Sequence, residues 1–174
     1  MNYKKKILIV GGTGFIGYHL AKRSLEKGWQ VTSISTKKPK KLRFLSKVKY
    51  KFCDITKQKS LKKNINKSFT YVVNLGGHVD HSNKNKTFES HYRGCVNLAE
   101  IFLKNPPRAF LQMGSSVEYG NLKSPQNENG KCNPKSNYGK AKFLASKYLI
   151  ALFKNKKFPS IILRLYLAYG PKQD

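Results

Sequence analysis

The stretch Lys6-Ile7-Leu8-Ile9-Val10-Gly11-Gly12-Thr13-Gly14-Phe15-Ile16-Gly17 decides the fold. The unbroken aliphatic run reads as a strand buried on both faces, the kind found inside parallel sheets. Glycines end the run, and residues 15–27 then place Phe15, Ile16, Leu20 and Leu25 at helical spacing before Gly28 stops the helix. The glycines fit two spacings at once: G-x-G-x-x-G through Gly12, Gly14 and Gly17, and G-x-x-G-x-x-G through Gly11, Gly14 and Gly17. Between a strand and a helix, the first glycines permit a tight turn and Gly14 lets main chain approach a pyrophosphate. Gly17 lets helix and strand pack closely. Amides opening the helix face the anion with the helix dipole behind them. Gly11, Gly12, Thr13, Gly14, Phe15, Ile16 and Gly17 are therefore expected to hold the diphosphate of a dinucleotide.

Outward from that loop, short β-branched runs alternate with amphipathic stretches. Strands are expected at 6–10, 31–35, 48–53, 70–75, 108–113 and 160–165, with helices at 15–27, 57–65, 88–103 and 138–153. The alternation specifies an α/β fold with a doubly wound parallel sheet, one domain over residues 1–174. Ligands of such sheets bind beyond the carboxyl ends of the strands. The polar loops 11–14, 35–41, 54–57, 76–86, 114–135 and 166–174 lie there.

The end of the second strand selects the cofactor. It reads Val31-Thr32-Ser33-Ile34-Ser35-Thr36-Lys37-Lys38, without the carboxylate that would grip the ribose hydroxyls of NAD. Ser35, Thr36, Lys37 and Lys38 suit a 2′-phosphate better, which favours NADP over NAD.

Composition narrows the function classes. Apolar residues make up 39% and aromatic residues 12% of the 174, a globular balance. No apolar run reaches the roughly 20 residues of a membrane helix. The aliphatic run near the start breaks into glycines with no cleavage region behind it, so a cytoplasmic location is expected. Cys53, Cys95 and Cys132 are scattered, as suits a reducing compartment rather than a metal site. His78 and His81 lack a third ligand, so no metal is expected. The formal charge is +27, but the lysines that dominate it run from Lys4 to Lys172 without a nucleic-acid motif. No specific nucleic-acid partner is expected.

Four further strings follow the glycine loop: Asn74-Leu75-Gly76-Gly77, Gly114-Ser115-Ser116-Val117-Glu118-Tyr119-Gly120, Tyr138-Gly139-Lys140-Ala141-Lys142 and Leu163-Arg164-Leu165-Tyr166-Leu167-Ala168-Tyr169-Gly170-Pro171. In that order they resemble the extended short-chain dehydrogenase/reductase family of sugar-nucleotide 4-epimerases, 4,6-dehydratases and 4-keto sugar reductases. Tyr138 and Lys142 share one helix face, where an ammonium stabilises a phenolate. The resemblance implies that Tyr138 is the acid/base and that Lys142 also holds the nicotinamide ribose. It implies that Ser115 hydrogen-bonds the reacting oxygen, with Ser116 and Val117 on the substrate side. Asp54, beside Ile55, would accept from the adenine amine, although it reads equally as a cap ahead of Thr56. Leu75, Gly76 and Gly77 would back the cofactor.

Dehydratases of this family carry an Asp-Glu pair where this chain has Ser116-Val117, which argues against 4,6-dehydration. The string looks most like reductases of 4-keto-6-deoxy sugar nucleotides. An NAD-dependent 4-epimerase and a non-catalytic dinucleotide-binding module are the alternatives. His91 and Leu167 stand where the family pattern has asparagine. Family members continue into a smaller sugar-binding domain, so the chain is expected to be truncated ahead of it. Relatives often pair through the helices at 88–103 and 138–153, which makes a homodimer a further expectation.

Overall fold

A computed structural model of the chain describes residues 4–78, 80 and 82–173. Strands β1 (Lys6–Val10), β2 (Gln30–Ser35), β3 (Lys49–Phe52), β4 (Tyr71–Asn74), β5 (Ala109–Ser115) and β6 (Ser160–Leu165) form one sheet in the order β3-β2-β1-β4-β5-β6. Every pairing is parallel. β1 is the pivot, with Ile7 opposite both Val31 of β2 and Tyr71 of β4. Between β1 and β4 the strand order reverses, and a crevice opens above their carboxyl ends.

The two-residue period of β1 sorts its side chains between two layers. Leu8 and Val10 join Leu61, Leu98, Phe110 and Leu149 on the side covered by α2 (Gln58–Asn64), α4 (Gly94–Phe102) and α5 (Asn137–Lys156). Ile7 and Ile9 join Ala21, Val31 and Val73 on the side covered by α1 (Phe15–Glu26). There Trp29 stacks on Tyr71 at 5.1 Å. Ile161 and Leu163 of β6 lie opposite Leu111 and Met113 on that second face and remain 47% and 46% exposed.

Two elements depart from the sequence reading. The expected helix at 88–103 begins earlier, with α3 (Lys84–Phe88), and reaches α4 through a π-helical turn, Glu89–Arg93. Asn83 starts it, its side chain accepting from the Lys86 N–H at 3.0 Å. The polar run Lys84-Asn85-Lys86 hides this turn, because only Thr87 of α3 is buried. β5 continues to Ser115, placing that residue on a strand end instead of in a loop. No described helix is long and apolar enough to cross a membrane.

Candidate active site

The glycine loop is built by close approach. Gly11 adopts φ +80° and donates its N–H to the Ile34 carbonyl at 2.8 Å, tying the loop to β2. A Cβ on Gly12 would lie 2.5 Å from Ser33 Oγ, and one on Gly17 would meet the Gly11 carbonyl and lie 2.6 Å from Gly12 Cα. Gly14 differs: a Cβ there would find nothing nearer than the Gly11 carbonyl at 3.4 Å. Its bareness serves what approaches from outside. Among the described residues no side chain caps α1, whose first turn carries no acid, which leaves its opening amides without a side-chain acceptor.

Beside the loop lies a cleft of about 630 Å³, within the roughly 300–1,000 Å³ span of cofactor sites. The glycine turn supplies Gly11, Thr13 and Gly14 to its wall, the end of β2 supplies Ser35, Thr36 and Lys37, and Asp54 and Ile55 follow β3. Leu75, Gly76 and Gly77 line it after β4. Gly12, Phe15, Ile16, Gly17 and Lys38 are not on this wall. Gly12 and Gly17 pack the loop, Phe15 sits edge-on to His19 at 5.3 Å, and Lys38 is solvent-exposed. The Ser35 hydroxyl is buried without a hydrogen-bond partner among the described residues. Asp54 Oδ1 accepts from the Thr56 N–H at 2.9 Å. That contact closes an Asx-turn ahead of α2, which starts only at Gln58, so the turn and the cleft use the same carboxylate.

Sequence reading missed Lys57, Lys86, Glu89 and Ser90 on the wall. The last three come from α3 and the π turn, and the signal that could have found them is the Asn83 cap. His81 lies outside the described residues, and no group of acids, cysteines and histidines among the described residues is arranged to hold a metal.

The π turn also brings His91 behind the cleft. A Cβ on Gly77 would run into the His91 imidazole, so the two pack in direct contact. His91 is buried and its Nε2–H donates to the His78 carbonyl at 3.1 Å. Its ring meets Tyr138 edge-on, centroids 4.9 Å apart. Cleft wall and tyrosine are thus linked through one side chain.

Ser115, Tyr138 and Lys142 converge, as the sequence implied. Ser136 caps α5, accepting from the Gly139 N–H at 3.0 Å, and so sets Tyr138 in the first turn. Burial pushes the Tyr138 phenol up, while its hydrogen bond with Ser115 pulls it back and the Glu118 charge adds a further push. One turn on, the Lys142 Nζ lies 5.6 Å from the Tyr138 ring centroid and donates to the Met113 carbonyl at 2.7 Å. Lys142 is only 4% exposed, and burial pulls its ammonium down to about 8, against smaller upward contributions from Cys95 and Glu118. None of the three lines the 630 Å³ cleft; they lie on the far side of Gly77 and His91. Ser116 and Val117 follow in a 3-10 turn (Ser116–Glu118), with Val117 turned toward solvent.

Behind Ser115 sits a group that sequence reading left unused. Glu118 is fully buried; it accepts from the Ser115 N–H at 2.9 Å, the Ser146 hydroxyl at 2.8 Å and Arg164 Nε at 3.3 Å. Its signal was the Ser-x-x-Glu spacing of a capping box.

These features define a doubly wound α/β domain of the Rossmann kind. Residues 7–174 match the NAD dependent epimerase/dehydratase family, and the chain belongs to it. It is 28% identical to a putative UDP-glucose 4-epimerase of Methanocaldococcus jannaschii, over 97% of this chain and 57% of the relative. It is 30% identical to the dTDP-6-deoxy-L-talose 4-dehydrogenase (NAD(+)) of Aggregatibacter actinomycetemcomitans, over 78% of this chain and 51% of that one. The crystal structure of the Thermus thermophilus UDP-glucose 4-epimerase in complex with NAD superposes with TM-score 0.88 at 23% identity, covering 97% of this chain and 57% of that structure. The chain spans about half the length of these relatives. Both a 4-epimerase and a 4-dehydrogenase are among them, so likeness alone does not single out the expected reductase.

Proposed function

We propose that the chain supplies the dinucleotide-binding and proton-transfer half of an NAD(P)-dependent enzyme acting at carbon 4 of a nucleotide-linked sugar. The observation that carries this reading is the convergence of Ser115, Tyr138 and Lys142 beside His91, which packs against Gly77 of the cleft wall. When bound, the nicotinamide supplies hydride exchange. In this reading the uncapped amides that open α1 hold the diphosphate, and Ser35, Thr36 and Lys37 of the cleft wall take the adenosine ribose. Tyr138 takes the proton of the sugar hydroxyl, or returns it to the ketone. Ser115 steadies the reacting oxygen, and the Lys142 ammonium, anchored on the Met113 carbonyl, favours the phenolate. Val117 supplies no carboxylate for eliminating water. Residues 1–174 act as the cofactor domain, and the relatives it matches are nearly twice as long. Half-exposed Leu144, Ile150 and Phe153 on α5 support the expected homodimer.

Two finer readings share this chemistry. Lys37 on the cleft wall and the missing acid at the end of β2 favour an NADPH-consuming reductase of a 4-keto-6-deoxy sugar nucleotide. The likeness to UDP-glucose 4-epimerases, one of them solved with NAD, favours a 4-epimerase. Calorimetric titration with NADPH and NADH, at salt high enough to suppress nonspecific anion binding, separates them. The reductase reading expects tighter NADPH, with the preference lost in Lys37→Glu and kept in Lys38→Glu. Tighter NADH favours the epimerase, and binding of neither refutes the enzyme reading.

A further inference from the structure

We infer that Glu118 is a positioning residue that fixes Ser115 against Tyr138, acting through one buried carboxylate shared by three segments of chain. The inference rests on the reading of Tyr138 as the acid/base. One oxygen of Glu118 accepts from the Ser115 N–H at 2.9 Å, at the tip of β5. The other accepts from the Ser146 hydroxyl at 2.8 Å, on the helix that carries Tyr138 and Lys142, and from Arg164 Nε at 3.3 Å, on β6. The carboxylate therefore gauges the distance between the strand that ends in Ser115 and the helix that begins with Tyr138. Gly114 makes room for it: a Cβ there would lie 2.6 Å from Glu118 Oε1.

Helix capping does not explain this arrangement. Ser115 and Glu118 form a reciprocal capping box, with the Val117 N–H donating to Ser115 Oγ at 3.4 Å. Such boxes stabilise the starts of helices by satisfying orphan amides, yet the element begun here is a single three-residue turn. What the box does achieve is orientation. Ser115 is held at its own N–H, and its hydroxyl accepts from Val117 while hydrogen-bonding with Tyr138. The buried charge is well supported. Arg164 neutralises it, lies 4.7 Å over the Tyr119 ring, and donates to the Tyr119 hydroxyl at 3.2 Å and to the Glu128 carbonyl at 3.4 Å. A buried ion pair of this kind contributes little net stability compared with apolar packing, whereas it fixes geometry well.

The test is Glu118→Asp, which keeps the charge but draws the carboxylate back by about 1.5 Å, too far to hold Ser115, Ser146 and Arg164 together. The readout is the ultraviolet titration of Tyr138 in the unliganded chain, isolated by subtracting the spectrum of the same protein carrying Tyr138→Phe. A purely structural role would lower the melting temperature and leave this titration in place. The expected result is an upward shift matching that of Ser115→Ala, with no further shift when the two are combined. An unmoved titration in Glu118→Asp, or additive shifts in the double variant, overturns the inference. Should circular dichroism show Glu118→Asp unfolded, Ser146→Ala removes one hydroxyl from the same carboxylate. Its upward shift must likewise vanish in the Ser115→Ala background, and no shift at all overturns the inference. Because the titration needs no cofactor, it is independent of whether NADPH or NADH binds, which decides the proposed function separately.

Discussion

Replacing Lys142 by methionine should stabilise the unliganded protein at neutral pH, and the gain should fade as the solution is made alkaline. Lys142 is 4% exposed, and burial pulls its ammonium from 10.5 to about 8. At about 1.4 kcal/mol per unit, holding that proton in the folded protein costs about 3 kcal/mol. Below about pH 8 both folded and unfolded chains keep the proton, so the folded state bears the whole cost. Between about 8 and 10.5 the unfolded chain binds a proton that the folded chain has shed, so stability rises with pH through that window. Methionine keeps the length and removes the charge; it also gives up the hydrogen bond to the Met113 carbonyl, which offsets about 1–2 kcal/mol of the gain at every pH. The informative quantity is therefore the difference between the two proteins as pH changes. Urea unfolding at pH 7 and pH 9.5 should show the native protein gaining about 2 kcal/mol relative to Lys142→Met. A difference that stays constant between those two pH values would show that Lys142 keeps an ordinary ammonium in the folded chain. The burial cost assigned to Lys142 would then fail, while its ammonium would still stand beside the Tyr138 phenol.

Other substitutions probe the scaffold around the site. Gly17→Ala forces a methyl into the Gly11 carbonyl and against Gly12 Cα. It should cost about 2–3 kcal/mol in urea unfolding and abolish binding of NADPH and NADH alike. Unchanged affinity would place the diphosphate elsewhere. Phe110→Ala empties a fully buried site between Phe102 and Phe158, whose rings lie 6.5 and 5.2 Å away. A loss of about 3–5 kcal/mol is expected, and a loss under about 1 kcal/mol would mean that the α4–α5 layer is not packed as described.

Much of this architecture was legible because buried parallel strands leave an unmistakable trace. Ile7 to Val10 has no polar residue to alternate with, and of the glycines that follow, Gly12 and Gly17 are demanded by close approach and Gly11 by its positive φ. The meeting of Tyr138 and Lys142 was legible for a similar reason: helical spacing alone puts them on one face. The start of α3 was not, because a capping asparagine is hard to see inside Asn83-Lys84-Asn85-Lys86, where every residue suits a loop equally well. With that start hidden, Lys86, Glu89 and Ser90 could not be placed on the cleft wall. Nor can sequence separate Lys37 from Lys38: both follow the end of β2, and only the first lines the cleft. Glu118 was visible as a motif, but its three partners come from chain segments that only the tertiary fold unites.

The central place of β1 has a consequence for how the chain acquires its structure. The Lys6 N–H donates to the Thr70 hydroxyl across 64 residues of sequence, and β1 gains its second neighbour only when β4 is in place. During synthesis, at about 5–20 residues per second, the aliphatic β1 segment therefore waits several seconds with one edge open. Parallel pairings of such long separation also form slowly. In that interval the lysines spread along the first third of the chain keep nascent copies apart by mutual repulsion.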